Sequence, residues 1–183
     1  MIEVIRAENY REQPWKNGGG LTREIAAAFS DDAAKRFLWR VSLATIDRDG
    51  PFSEYRGYDR SILTIDGSPV ELVVDGQTIN LGRLDPYAFA GEAQVVCRIG
   101  DGAARDLNVM TLRDWFVHDL EIVSSPQRFV LDNDEIVFVY AIEGAASVGG
   151  VHCPAGDTIW LQEADGTSIG SEGRAAVVRI TPI

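Results

Sequence analysis

The feature that most constrains this chain is its punctuation. Apolar, β-branched runs of roughly four to eight residues are broken at short intervals by Gly, Asp and Asn, which leaves little length for a stable amphipathic helix. The clearest runs are IEVIRA (2–7), FLWRVSLATI (37–46), SILTI (61–65), VELVV (70–74), QTINL (77–81), AQVVCRI (93–99), LNVMTL (107–112), EIVFVYAI (135–142) and AAVVRI (175–180). Asp-Gly pairs at 66–67 and 75–76 suit two-residue hairpin loops, because glycine accepts positive φ without a Cβ clash. DDAAKR (31–36) is the only helix-like stretch, and no linker interrupts the chain. The pattern predicts an all-β protein.

Charge narrows the partners. The 183 residues carry 28 acidic side chains against 17 Lys plus Arg, a formal charge of -11, so the average field repels nucleic acid and anionic lipid. No run approaches the apolar length of a membrane span, and the amino terminus MIEVIRAENY lacks the basic flank and apolar core of a signal peptide. The expectation is a soluble, cytoplasmic protein. Cys97 and Cys153 are then read as reduced thiols without a chemical role.

A weak internal echo adds to the strand pattern. ILTIDGSPVELVVDG (62–76) and VYAIEGAASVGG (139–150) each place an apolar strand, an acid-Gly turn, a second strand and a second Gly turn in the same order. A Pro-containing bend follows in both, LDP in one half and CPAGD in the other. The echo predicts two similar β units without a tether.

Four blocks, PWKNGGGLTREI (14–25), WRVSLATIDRDGPFSEYRGYDRSILTIDG (39–67), PYAFAGE (86–92) and RDLNVM (105–110), resemble the signature blocks of the HutD/Ves family. The resemblance implies a bicupin, two cupin-like β-barrels in tandem within one compact unit. It sets an N-terminal barrel at 1–125 and a smaller C-terminal half at 126–183, with exchange of terminal strands between the halves left open. It also implies a bacterial protein associated with histidine utilisation, and for Ves relatives with stress. It carries no firmly established reaction.

Many cupins bind a metal through an HxH pair, a Glu and a third His. This chain has two histidines, His118 and His152, in neither spacing, so no metal and no other cofactor is expected. His118, beside Asp119 in WFVHDLEIV, invites a general-base reading but is better read as a surface or hydrogen-bonded side chain.

PWKNGGG lacks both the Walker and the dinucleotide glycine patterns. A turn explains its glycines but not the donors of Lys16 and Asn17, so together with Trp15 they are read as one wall of a pocket. Alternation on FLWRVSLATI puts Arg40 and Ser42 on one face, directed either to solvent or into a barrel mouth where a guanidinium can fork onto a carboxylate. RDLNVMTL repeats the pattern with Asp106, Asn108 and Met110, and Asp106 could orient an arginine. Arg60 belongs either to this set or to a surface pair with its neighbour Asp59. Phe52 and Met110 read as core, with Phe52 also able to cover an apolar part of a ligand. The candidate ligand-binding set is therefore Trp15, Lys16, Asn17, Arg40, Ser42, Phe52, Arg60, Asp106 and Asn108.

These residues describe a basic pocket in an acidic body, suited to a small carboxylate and unsuited to polyanions. The leading reading is a metal-free binding protein that modulates catabolism by holding an anionic intermediate. An isomerase or hydrolase using His118, Asp106 or Tyr55 as proton carrier is the alternative, and a module contacting a catabolic regulator is a third. A homodimer is compatible with β-barrels that bury sheet faces together.

Overall fold

The protein is described here by a computed structural model covering residues 1–15, 18–31, 36–128, 134–162 and 168–183. Its strands are β1 (Ile2–Ile5), β2 (Arg11–Pro14), β3 (Gly20–Phe29), β4 (Phe37–Ile46), β5 (Gly50–Pro51), β6 (Tyr58–Gly67), β7 (Val70–Val74), β8 (Gln77–Leu81), β9 (Pro86–Ala90), β10 (Val95–Ile99), β11 (Ala104–Leu112), β12 (Phe116–Val123), β13 (Gln127–Arg128), β14 (Ile136–Glu143), β15 (Ala145–Val148), β16 (Val151–Pro154), β17 (Thr158–Gln162), β18 (Ser168–Ser171) and β19 (Arg174–Pro182). A single 3-10 turn at Ala7–Asn9 is the only helical element among the described residues, so the fold is all-β as the punctuation predicts. The helix-like DDAAKR stretch falls largely outside those residues.

The chain forms two compact units, Arg11–Trp115 and a second made of Met1–Tyr10 with Phe116–Ile183. These bounds differ from the expected 1–125 and 126–183, for reasons of strand pairing. β1 pairs antiparallel with β17, from Ile2↔Leu161 to Ile5↔Thr158, which draws the amino terminus into the later unit. β12 pairs along its whole length with β19, which takes residues 116–123 the same way.

Each unit is two open sheets packed over a shared core rather than a closed barrel. In Arg11–Trp115 a six-stranded sheet, β2-β3-β4-β11-β6-β9, supplies Ile46, Ile62 and Ala104, and a four-stranded sheet, β5-β10-β7-β8, supplies Leu72, Val74, Leu81 and Val95. In the second unit the sheets are β1-β17-β14-β19-β12 and β13-β18-β15-β16, whose core joins Val137, Val139 and Val177 to Ala146, Val148 and Ile169. Edge strands remain in all four sheets, so the expected barrels are corrected to sandwiches.

The sequence echo is a repeat of topology. β4, β11, β6 and β9 are adjacent in one large sheet, and β12, β19, β14 and β17 occupy the same order in the other. The small sheets match strand for strand. The agreement reaches single residues. β6 carries an extra residue where Arg105/Asp106 of β11 meet it, and β14 carries one between Ala141 and Glu143 opposite β19. Beside each bulge an acid pairs with an arginine: Asp66 with Arg105 (Oδ1 to Nε, 2.8 Å) and Glu143 with Arg174 (3.8 Å). A glycine with positive φ follows each acid, Gly67 (φ 90°) and Gly144 (φ 69°), where a Cβ would run into the carbonyl oxygen of Ala103 or Glu172.

Asp66-Gly67 is therefore not the two-residue hairpin expected from its sequence. It is the corner at which the chain leaves one sheet for the other. Asp75-Gly76 is a true hairpin, with Val74 paired to Gln77 and positive φ at both turn residues.

Gly76→Ala has only φ strain to bear, since nothing approaches its absent Cβ. It should cost about 1 kcal/mol and lower the melting midpoint by about 2 to 4 °C. Gly67→Ala and Gly144→Ala add a backbone collision and should each lower it at least twice as far by calorimetry. Equal losses at all three positions would contradict the corner assignment.

Candidate functional site

Within the Arg11–Trp115 unit a cavity of about 520 Å³ opens on the inner face of the six-stranded sheet. Its floor follows from strand alternation and register. Arg40, Ser42 and Ala44 project from β4, and Met110, Asn108 and Asp106 stand directly opposite them on β11. Arg60 enters from β6, paired with Met110. The bulge at Arg105/Asp106 sets Asp106 across from Thr64 while Arg105 turns outward to Asp66.

One wall comes from the β2–β3 turn. The Trp15 N–H donates to the Gly20 carbonyl and the Gly18 N–H to the Trp15 carbonyl, both at 3.0 Å. The indole Nε1 donates to Thr22 Oγ1 at 2.8 Å, and its ring meets Phe52 edge-on at 6.4 Å. A Cβ at Gly20 would strike both the Trp15 ring and the Thr45 carbonyl, so this glycine exists to let the indole lie against the sheet. Lys16 and Asn17, expected on the same wall, lie outside the described residues. An adjoining wall is the 51–55 segment, with Phe52 and Tyr55 anchored through backbone bonds from Phe52 N–H to Val95 O (2.9 Å) and Tyr55 N–H to Gly91 O (2.7 Å).

The two arginines are held by rings rather than by carboxylates. Arg60 is 5% exposed, with its guanidinium 4.9 Å from the Phe89 ring centre, 5.4 Å from Tyr55 and 5.5 Å from Phe52. It donates to the Ser53 carbonyl at 3.2 Å. Arg40 sits 4.8 Å from the Phe37 ring centre and 5.4 Å from Tyr55, reaching the Tyr55 hydroxyl and Met110 Sδ at 3.4 Å. Neither forms an ion pair among the described residues, and both Nε atoms are buried without a partner. The open alternative for Arg60 is thereby decided: Asp59 pairs with Arg113 at 2.7 Å, and Arg60 points inward.

Asp106 and Asn108, 2% and 6% exposed, complete the polar floor, and each keeps a buried, unpartnered Oδ1. Burial pushes the Asp106 carboxyl up to about 7, although Arg60 and a hydrogen bond from Asn108 pull the other way. Burial likewise lowers Arg60 to about 10, which leaves it charged at neutral pH.

The matching positions of the second unit lack this chemistry. By register, Ala175 replaces Asp106, Val177 replaces Asn108 and Ala141 replaces Thr64. At the Met110 position stands Arg179, tied to both oxygens of Glu135 at 3.0 and 2.9 Å. Of the candidate residues, Trp15, Arg40, Ser42, Phe52, Arg60, Asp106 and Asn108 line one cavity. Met110, read as core, is both buried and part of the lining. Gln13, Thr22 and Ser53 also line it, and nothing in their sequence context singles them out. His118 on β12 and His152 on β16 belong to the other unit. The donor set of the cavity, two guanidiniums with one carboxyl, an amide and a thioether, does not suit a cupin-type metal, and no cluster of three or more His, Cys, Asp or Glu occurs among the described residues.

The HutD family profile matches residues 7–178. A protein from the hutC 3' region of Pseudomonas putida is 43% identical over 110 residues, 60% of this chain and 57% of its own length. The chain thus matches little more than half the length of that relative. Protein Ves of Citrobacter koseri is 40% identical over 137 residues, 74% of this chain and 70% of Ves. The crystal structure of HutD from Pseudomonas fluorescens SBW25 superposes with a TM-score of 0.91 at 34% identity, covering all of both chains. More remote solved structures share the cupin-like fold alone.

The Asp106 carboxyl takes up a proton more readily in the folded chain than its ordinary value of 3.8 allows, so ionising it opposes folding as pH rises from about 4 to about 7. Asp106→Asn removes that opposition. The stability of the variant relative to wild type, from urea unfolding, should increase across this window and level off above it; a constant difference would contradict the buried-acid assignment.

Proposed function

The chain belongs to the HutD family, and from that premise and the cavity's donors we propose a protein that binds a small carboxylate in the Arg11–Trp115 unit. The carrying observation is the pair of arginines whose Nε atoms have no partner in a protein with a large excess of acids. A guanidinium left without a carboxylate amid so many is set for one that arrives with a ligand. Ser42 and Asn108 orient the bound group, and Trp15 with Phe52 covers its apolar part. The family's association with histidine utilisation makes an intermediate of that pathway, such as formylglutamate or urocanate, the leading ligand class. The role that fits is a cytoplasmic modulator of catabolism.

A second reading is favoured by Asp106. A carboxyl titrating near neutrality in a cavity that Tyr55 also lines is placed to move a proton, as a metal-independent isomerase or hydrolase would require. Turnover of a pathway acid followed by NMR decides for it; binding without turnover decides for the modulator.

Calorimetry against the pathway acids tests the main reading. Dissociation constants in the micromolar range or weaker are expected, unchanged by a chelator. Arg40→Ala and Arg60→Ala should each weaken binding by roughly 10- to 100-fold, the equivalent of one charge-assisted hydrogen bond of about 1.5 to 3 kcal/mol. Affinity should also fall as pH rises through about 7, where Asp106 becomes a competing anion. Full affinity in both arginine variants, or its loss on chelation, overturns the proposal.

A further inference from the structure

We propose that the cavity selects carboxylates that also carry a neutral hydrogen-bond donor, an amide N–H or a hydroxyl, which donates to Asp106 and Asn108. This rests on the carboxylate reading above and goes on to specify the rest of the ligand.

The polar atoms left over in the cavity are of two kinds. Arg40 Nε and Arg60 Nε are donors, which the oxygens of a carboxylate satisfy. Asn108 Oδ1 is an acceptor, and so is Asp106 Oδ1 once its carboxyl is ionised; both are buried and without a partner. The Asn108 oxygen is buried without a partner, and an amide nitrogen turned toward the neighbouring Asp106 carboxyl leaves that oxygen to accept. The two residues are alternate on β11, so both acceptors serve the same face. A bare carboxylate brings only acceptors to this floor, and acceptor would meet acceptor. A ligand with a donor beside its carboxylate satisfies both sets. An ammonium group is a poor choice for that donor, because Arg40 and Arg60 already stand over the site.

The duplicated unit supports the assignment. It keeps the bulge, the glycine and the acid-arginine pair that build the corner, yet has Ala175 and Val177 where these acceptors stand. Asp106 and Asn108 are therefore not needed to fold this sheet arrangement.

The test is a pair of isosteric probes, N-acetylglycine and 4-oxopentanoate, which differ by an N–H in place of a CH₂. By calorimetry on the full chain at pH 8, where the Asp106 carboxyl is ionised and only accepts, wild type should bind N-acetylglycine about tenfold or more tightly. The preference should collapse to about one in Asn108→Leu and in Asp106→Ala, with circular dichroism confirming that each variant is folded. Equal binding of both probes to wild type overturns the donor inference and leaves the carboxylate reading standing. A preference retained in both variants also overturns it, since other groups would then read the donor. Failure of both probes to bind overturns the inference and the carboxylate reading together.

Discussion

The account depends on two guanidiniums, Arg60 buried and Arg40 half-buried, that form no ion pair among the described residues. Removing an arginine from solvent carries a penalty of several kcal/mol that an ion pair normally offsets. Here the offset comes from aromatic faces. Arg60 lies among Phe52, Tyr55 and Phe89, and Arg40 over Phe37 and Tyr55. Ring quadrupoles stabilise the charge and leave its hydrogen-bonding edge available. Elsewhere the chain ties arginines down, as in Arg113 with Asp59 and Glu92 or Arg179 with Glu135. The contrast separates arginines that build the fold from arginines held ready for something else.

Duplication explains why one unit can bear this cost. The corner is built the same way twice, from a bulge, a positive-φ glycine and an acid-arginine pair, and the apolar positions behind it close a core in both units. Val137, Val139, Ala175 and Val177 fill the inner face of the second unit with side chains that need no partner. In the Arg11–Trp115 unit, Asp106, Asn108, Arg40 and Arg60 stand on the corresponding sheet, and a cavity takes the place of packing. The extra polar load falls on the sheet with six strands rather than five, and the 52–55 segment and Trp15 fence its rim.

The legible part of the sequence was what strand periodicity encodes. β4, β7 and β8 begin and end where their apolar runs do, and alternation alone put Arg40 with Ser42 and Asp106 with Asn108 on common faces. Alternation cannot say which face is inward, so the choice between solvent and cavity for Arg40 needed the sheets. It is blind as well to corners: Asp66-Gly67 and Asp75-Gly76 read identically, yet only the second closes a hairpin, because the first is decided by how near Ala103 passes. The domain bounds escaped for the same reason, since the pairings β1–β17 and β12–β19 join residues more than fifty positions apart. Ser53 escaped because a hydroxyl in a loop carries no pattern, and Thr22 because a lone threonine in a strand reads the same whether it faces solvent or a cavity.

The most direct measurement is nitrogen-15 NMR of the arginine side chains, with the Nε–H signals of Arg40 and Arg60 assigned through Arg→Lys variants and followed as acetate or N-acetylglycine is added. The account expects these two signals to move downfield and gain protection from solvent exchange, while Arg113 and Arg179, already paired, stay where they are. Ligand binding that leaves the Arg40 and Arg60 signals unmoved would contradict it.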